Sequence, residues 1–211
     1  PLRVLIEGNP DQPLKGVGDA INAVNAMVEP VHSTLVSGRP SPALEHLAGR
    51  VDDIATQLSA EQMAERYRSS HVVLKLSRVE GMAGPPLEGF HCGATCVTTA
   101  VSGYDEYVVD GVNALVANWD DTRGTARLLD LLARDRVLLQ QLRLSALETA
   151  RAWPSTGDSA AEMAAALRAI VQAPTSDPDG AAVGIARELR AALVNAGGRD
   201  RDRARLRQRM D

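Results

Sequence analysis

The stretch that decides the fold is HVVLKLSRVEGMAGPPLEGFHCG, His71 to Gly93. Its first part, "HVVLKLS", is a short apolar run broken only by Lys75, and it reads as a buried strand. Its last part, "PPLEGFHCG", reads as a helix, because proline is tolerated in the first turn and glycine follows the end. The helix is therefore expected to begin at Gly84 or Pro85. Between the two lies a loop, "RVEGMAG", in which Gly81 and Gly84 strip side chains from the approach. Two glutamates, Glu80 and Glu88, flank the glycine and proline positions. A glutamate at the end of a buried strand does little for stability and is well placed for a ligand.

Working outward, the same alternation recurs. "LRVLIEG" (Leu2–Gly8) and "VHSTLVSG" are apolar runs with a glycine stop, and "ATCVTTA" and "NALVA" read as further strands. Val17–Met27 carries apolar residues at helical spacing and is closed by Pro30, while Ser41–Ala48 reads as a short helix before a weak strand, "VDDIATQL". Ser59 with Gln62 three residues on is a capping-box helix start. Continuous apolar strands alternating with helices specify a parallel sheet covered on both faces, an α/β doubly wound, Rossmann-like domain. From Trp119 onward the pattern is helical only, with a break at Trp153-Pro154. The expected organisation is a domain over 1–172, a linker over 173–180 (APTSDPDG), and a helical, charged tail over 181–211. The tail is expected to be solvated, with docking of a partner or anionic headgroups as the other role.

Composition narrows the function. The formal charge of −4 over 211 residues argues against nucleic-acid binding. Aromatics make up 3%, with Phe90 the one phenylalanine, so the core is expected to be Leu/Val/Ala packing rather than aromatic stacking. The two cysteines, Cys92 and Cys96, and four histidines are too few for a disulfide framework or a zinc site, so no metal is expected. Reduced thiols fit a cytoplasmic setting. No apolar run approaches the ~20 residues that span a bilayer, so membrane association would be peripheral, at the inner face. The chain opens without Met, which reads as a cut edge. Lys15 and Lys75 are the only lysines; the basic residues are otherwise arginine, in keeping with genome composition.

In a doubly wound sheet, ligands bind beyond the C-terminal ends of the strands. The first such position is "EGNPDQPLKG", where Gly8 lets a ligand near the backbone and Lys15 reaches for a phosphate or lies on the surface. Neither the P-loop nor the G-x-G-x-x-G pattern is present. The second is Glu80–Glu88. The helix N-terminus offers backbone amides and partial positive charge to an anion. Glu80, acceptor-only when ionised, suits sugar hydroxyls, and Glu88 is expected in the first helical turn, either as a ligand contact or as a partner of the helix dipole. The third is the Val101-Ser102-Gly103 turn with Glu106. Ser102 is no hydrolase nucleophile, since all four histidines precede it and G-x-S-x-G is absent.

The segment VEGMAGPPLEGFHCGATCVTTAVSGYDEYVVDGVNALVANWDD resembles the C-terminal, donor-binding half of GT-B glycosyltransferases, in particular glycosyltransferase family 4. The likeness covers Arg3 to Trp153 and rests on Ser77, on Glu80 with Glu88 eight residues on, on Cys92-Gly93, and on Gly103, Glu106 and "DGVNA". A looser likeness links "LKLSRVEGM" and "GPPLE" to bacterial rhamnosyltransferases of cell-surface polysaccharides. The resemblance implies a nucleotide-diphosphate sugar as donor, with no cofactor and no metal. Glu80 would contact the donor sugar as the catalytic residue, and Glu88 the ribose. The stretch Gly81, Met82, Ala83 and Gly84 would hold the diphosphate and sugar, and Lys15 would neutralise the diphosphate beside Gly8. Leu58, within Thr56–Ser59, would lie at the base. It also implies an N-terminal acceptor-binding domain as partner, a saccharide or lipid-linked acceptor, and retention at the anomeric carbon; without that domain, turnover would be poor. One departure stands out: the family's arginine after the first-strand glycine is here Asn9. Arg78, beside Glu80, or Lys75 would have to replace its charge, and Lys75 interrupts an apolar strand at a cost unless it reaches water or an anion. The other classes compatible with these residues are an epimerase or phosphorylase on the same architecture, and a non-catalytic nucleotide-sugar-binding or assembly module whose tail recruits a partner.

Overall fold

A computed structural model describes residues 1–172 and Gly184 of the chain. Six strands, β1 (Leu2–Glu7), β2 (Val31–Ser37), β3 (Asp53–Thr56), β4 (Val72–Lys75), β5 (Thr95–Thr99) and β6 (Ala114–Ala117), form one sheet. Their order is β3-β2-β1-β4-β5-β6 and every neighbouring pair is parallel. The helices are α1 (Val17–Asn25), α2 (Pro42–Leu47), α3 (Ala60–Ser69), α4 (Gly84–His91), α5 (Thr122–Arg134), α6 (Arg136–Ala152) and α7 (Thr156–Gln172). This is the doubly wound Rossmann-like architecture expected from the alternation. The strand order reverses between β1 and β4, so the C-terminal ends of these two strands open onto a crevice.

The central strands are apolar throughout because both faces are covered. Val4, Leu5, Ile6, Val72, Val73 and Leu74 are each exposed by 1% or less, and burying such a side chain stabilises by about 1.5–3 kcal/mol. On one face Val72, Leu74 and Leu76 pack with Ile21 and Val24 of α1 and Leu129 and Leu132 of α5. On the other face α4 lies so close that a Cβ on Gly89 would meet Val73 Cγ2 at 2.6 Å. Phe90, fully buried on this side, packs edge-on against Tyr107 with ring centroids 5.9 Å apart. The aliphatic core therefore contains one aromatic pair that composition did not suggest, because a single pair suffices where two elements meet.

The chain divides into two compact units, Pro1–Ala152 and Trp153–Asp211. The first holds the whole sheet. In the second, α7 begins at a reciprocal cap: Ser155 Oγ accepts from the Asp158 N–H at 3.2 Å and Asp158 Oδ2 accepts from the Ser155 N–H at 3.0 Å. The expected linker and charged tail lie outside the described residues, apart from Gly184.

Candidate functional site: a charged crevice at the strand-order reversal

Two adjoining hollows open beyond β1, β2 and β4. The larger, about 410 Å³, is lined among others by Gly8, Asn9, Lys15, Lys75, Glu80, Met82 and Gly84. The smaller, about 230 Å³, is lined among others by Gln57, Leu58, Tyr67 and Glu88. They share Glu7, Gly38 and Pro85. Residues proposed from three separate stretches of sequence are thus brought to one crevice.

The loops around it are stitched together. The Arg78 N–H donates to the Leu14 carbonyl at 2.8 Å, which ties the Lys15 loop to the segment after β4. A Cβ on Gly16 would stand 1.9 Å from the Leu76 carbonyl oxygen, at a φ of +64°, so only glycine lets the two segments meet. From β5, Thr98 Oγ1 donates to the Lys75 carbonyl at 2.9 Å and Thr99 Oγ1 to the Ser77 carbonyl. The Tyr107 hydroxyl donates to the Ala83 carbonyl, directly ahead of α4. The loop carrying Glu80 is therefore held from both sides.

Charges alternate across the crevice. Lys75, 3% exposed, donates to Glu7 Oε2 at 2.6 Å and to the Glu7 carbonyl at 3.1 Å. Its ammonium also stands 3.9 Å from Glu80 Oε1. Lys15 Nζ reaches both Glu80 oxygens at 2.9 Å. Burial pushes the Glu80 carboxyl up, but the hydrogen bonds from Lys15 and the charges of Lys75 and Lys15 outweigh it. The group is held below the usual carboxylate range and stays ionised. In the smaller hollow the Tyr67 hydroxyl donates to Glu88 Oε2 at 2.8 Å. Burial, then the Glu88 charge, pushes the Tyr67 phenol up, so it remains a donor at neutral pH.

Two expectations are corrected. Arg78 does not face this crevice: its guanidinium bonds Asp19 Oδ2 at 3.1 Å and Asp120 Oδ1 at 2.5 Å and lines a separate hollow with Leu76, Thr99 and Trp119. Two carboxylates claim the charge, so Arg78 serves the crevice through its backbone only. Glu88 is not in the first turn of α4, which has no acidic residue there. The helix starts at Gly84, so Glu88 falls in the second turn, fixed by Tyr67 rather than by the helix dipole. Gly81 and Ala83 stand beside the crevice without lining it; Ala83, 1% exposed, is the residue that precedes α4. Lys75 does point into the crevice, already neutralised by Glu7. Sequence reasoning passed over Glu7, Arg39 and Tyr67. The first two were signalled by their place at the ends of β1 and β2, while Tyr67 carried no signal beyond helical spacing.

A six-stranded parallel sheet in this order, with cations and carboxylates gathered at its reversal point, defines a Rossmann-like domain with a charged crevice at the C-terminal ends of its strands. The family model for glycosyl transferases group 1 matches residues 1–135, and the chain belongs to that family. No curated protein matches the chain in sequence. Among solved structures, Anabaena Alr3699/HepE in complex with UDP and glucose is 17% identical with a TM-score of 0.68, over 79% of this chain and 48% of that one. Sucrose-phosphate synthase from Thermosynechococcus elongatus is 20% identical with a TM-score of 0.71, over 82% and 46%. The C-terminal domain of a glycosyl transferase group 1 family protein (LpcC) from Francisella tularensis is 17% identical with a TM-score of 0.59, over 71% and 84%. At these identities the likeness is one of fold. The chain spans about half the length of the first two.

Proposed function

We propose that this chain is the donor-binding half of a family 4-like glycosyltransferase, which moves a sugar from a nucleotide-diphosphate donor to a saccharide or lipid-linked acceptor. The observation that carries the reading is the crevice itself: Lys15, Glu80 and the start of α4 on one side, Leu58 and Glu88 on the other. The two hollows suit the two ends of such a donor. Glu88, with Oε2 on Tyr67, turns toward the ribose hydroxyls. The backbone at Gln57 and Leu58 is the floor for the base, and the diphosphate lies in the larger hollow beside Gly8, Asn9, Met82 and Gly84. Glu80 accepts from the sugar hydroxyls and is the catalytic residue. The leaving diphosphate is stabilised by fixed cations and not by a metal or cofactor. That 17%-identical Alr3699/HepE was crystallised with UDP and glucose supports a nucleotide-sugar donor.

The finer reading is retention at the anomeric carbon, in cell-surface polysaccharide synthesis of a bacterium, with a rhamnosyl donor as the specific case. An N-terminal acceptor-binding domain completes the enzyme, which works in the cytoplasm, peripherally at the inner membrane face. No helix among the described residues is long and apolar enough to cross a membrane.

Calorimetric titration with UDP, dTDP and GDP, free and as sugar conjugates, tests the donor site. One nucleotide should bind, and Glu88→Ala should weaken it about 10-fold, the scale of one charge-assisted hydrogen bond. In the complete enzyme, Glu80→Gln should lower sugar transfer by about 100-fold, the scale of removing one charge-stabilising group. Unchanged transfer would remove Glu80 from catalysis and favour a non-catalytic binding module.

A further inference from the structure

The larger hollow must hold a dianionic or trianionic group if the proposed function is right, and the question is which cation meets it. Three cations, Lys15, Arg39 and Lys75, and two carboxylates, Glu7 and Glu80, line it. Lys75 is taken by Glu7 at 2.6 Å and Lys15 by both oxygens of Glu80. Arg39 is exposed and makes no ion pair among the described residues, so the excess positive charge of the crevice resides on its guanidinium. The first turn of α4 offers little help. Positions two and three of α4 are Pro85 and Pro86, which carry no N–H, so Gly84 alone among the first three helical residues presents an amide. Asn9 is neutral, and its Oδ1 is occupied by the Asp11 N–H at 2.9 Å.

The position of Arg39 is built. It follows the end of β2, where Ser37 Oγ accepts from the Arg39 N–H at 3.4 Å and donates to the Arg39 carbonyl at 2.9 Å. Pro40 restricts Arg39 to extended backbone. Gly38, on which a Cβ would meet nothing within 4 Å, leaves the approach open.

Resting on the donor-site reading above, we infer that Arg39 is the residue that recognises the diphosphate, forking onto its terminal, leaving-group phosphate. It is therefore the determinant that separates nucleoside diphosphates from monophosphates. Guanidinium suits the task because its planar donors match two phosphate oxygens at once. Lys15 and Lys75 then act mainly to hold Glu80 and Glu7 in place.

The test is calorimetric titration of the chain with UDP, dTDP and GDP, each beside its monophosphate, for the unmodified protein, Arg39→Ala, Arg39→Lys and, as a distant control, Arg134→Ala. The unmodified chain should prefer one diphosphate over its monophosphate by at least 10-fold. Arg39→Ala should abolish most of that preference while leaving the monophosphate affinity within about 2-fold, and Arg39→Lys should restore part of it, since the charge returns without the fork. Arg134→Ala should change neither. The exposed position should leave the melting temperature of every variant unaltered. A preference that survives Arg39→Ala would overturn the assignment and leave the donor site standing. Absence of binding by the unmodified chain to any of the six nucleotides would overturn the donor-site reading and this assignment with it.

Discussion

His71, at the threshold of β4, carries a pH dependence. Its Nδ1 accepts the Arg3 N–H at 3.0 Å, and a backbone N–H can only donate, so this nitrogen must keep its lone pair. Burial first, then the charges of Arg3, Arg136 and Arg143, pulls the imidazole down to about 4 from an ordinary 6.5. The unfolded chain takes up the proton at the higher value, so between the two it binds more protons than the folded chain. Stability should therefore fall as pH is lowered from 6.5 toward 4. Thermal melts across that window should show a flatter profile in His71→Asn, whose carbonyl can take the Arg3 N–H without titrating. An unchanged profile would mean that carboxylates alone set the acid limit. Glu80 and Tyr67 show related logic in the crevice: Lys15 and Lys75 outweigh burial to keep Glu80 ionised, while burial, reinforced by Glu88, keeps Tyr67 protonated.

At the scale of elements, two devices position the site and differ in how they are read. The cap of α3 is local: Ser59 Oγ accepts the Gln62 N–H at 3.2 Å and Gln62 Oε1 accepts the Ser59 N–H at 2.9 Å. Ser59→Ala should cost about 1 kcal/mol by chemical denaturation and leave the crevice intact. The junction at Gly16 is not local. Its left-handed backbone and its 1.9 Å approach to the Leu76 carbonyl belong to the meeting of two loops. Gly16→Ala should cost more than the about 1–3 kcal/mol of the strained backbone alone. It should also weaken nucleotide binding, because displacing Leu76 displaces the loop that carries Glu80. A stable variant with unaltered binding would show that the two loops are not coupled.

Across the whole molecule, the segment "DGVNA" turns out to be structural. Asn113, 2% exposed, donates to the Tyr107 carbonyl at 2.7 Å and to Thr149 Oγ1 at 2.9 Å, and accepts the Val109 N–H at 2.8 Å. It joins the turn before β6 to α6, and through Tyr107 it reaches the Ala83 carbonyl beside the crevice. Asn113→Ala would strand these buried groups and should cost about 2–3 kcal/mol in the unfolding free energy. A loss below 1 kcal/mol would indicate that water replaces the side chain.

The sequence by itself determined the alternation of strands and helices, the capping box at Ser59, the start of α4 at Gly84 or Pro85, and the strand ends at which a ligand would sit. These are local: hydrophobic periodicity, proline and glycine act over a few residues. It also singled out Glu80, Glu88 and Lys15, because the ends of strands in a parallel sheet face one edge, while Leu58 entered only through the family resemblance. Tertiary structure alone decided the pairings. The sequence left the direction of Arg78 open; Asp19 and Asp120 settled it, 59 and 42 residues away in the chain. It offered Lys75 as a spare charge; Glu7, 68 residues distant, had claimed it. Arg39 remained with its charge uncommitted only once every other cation of the crevice had found its carboxylate. Ion pairs of this kind depend on distances between strands whose order no local pattern encodes.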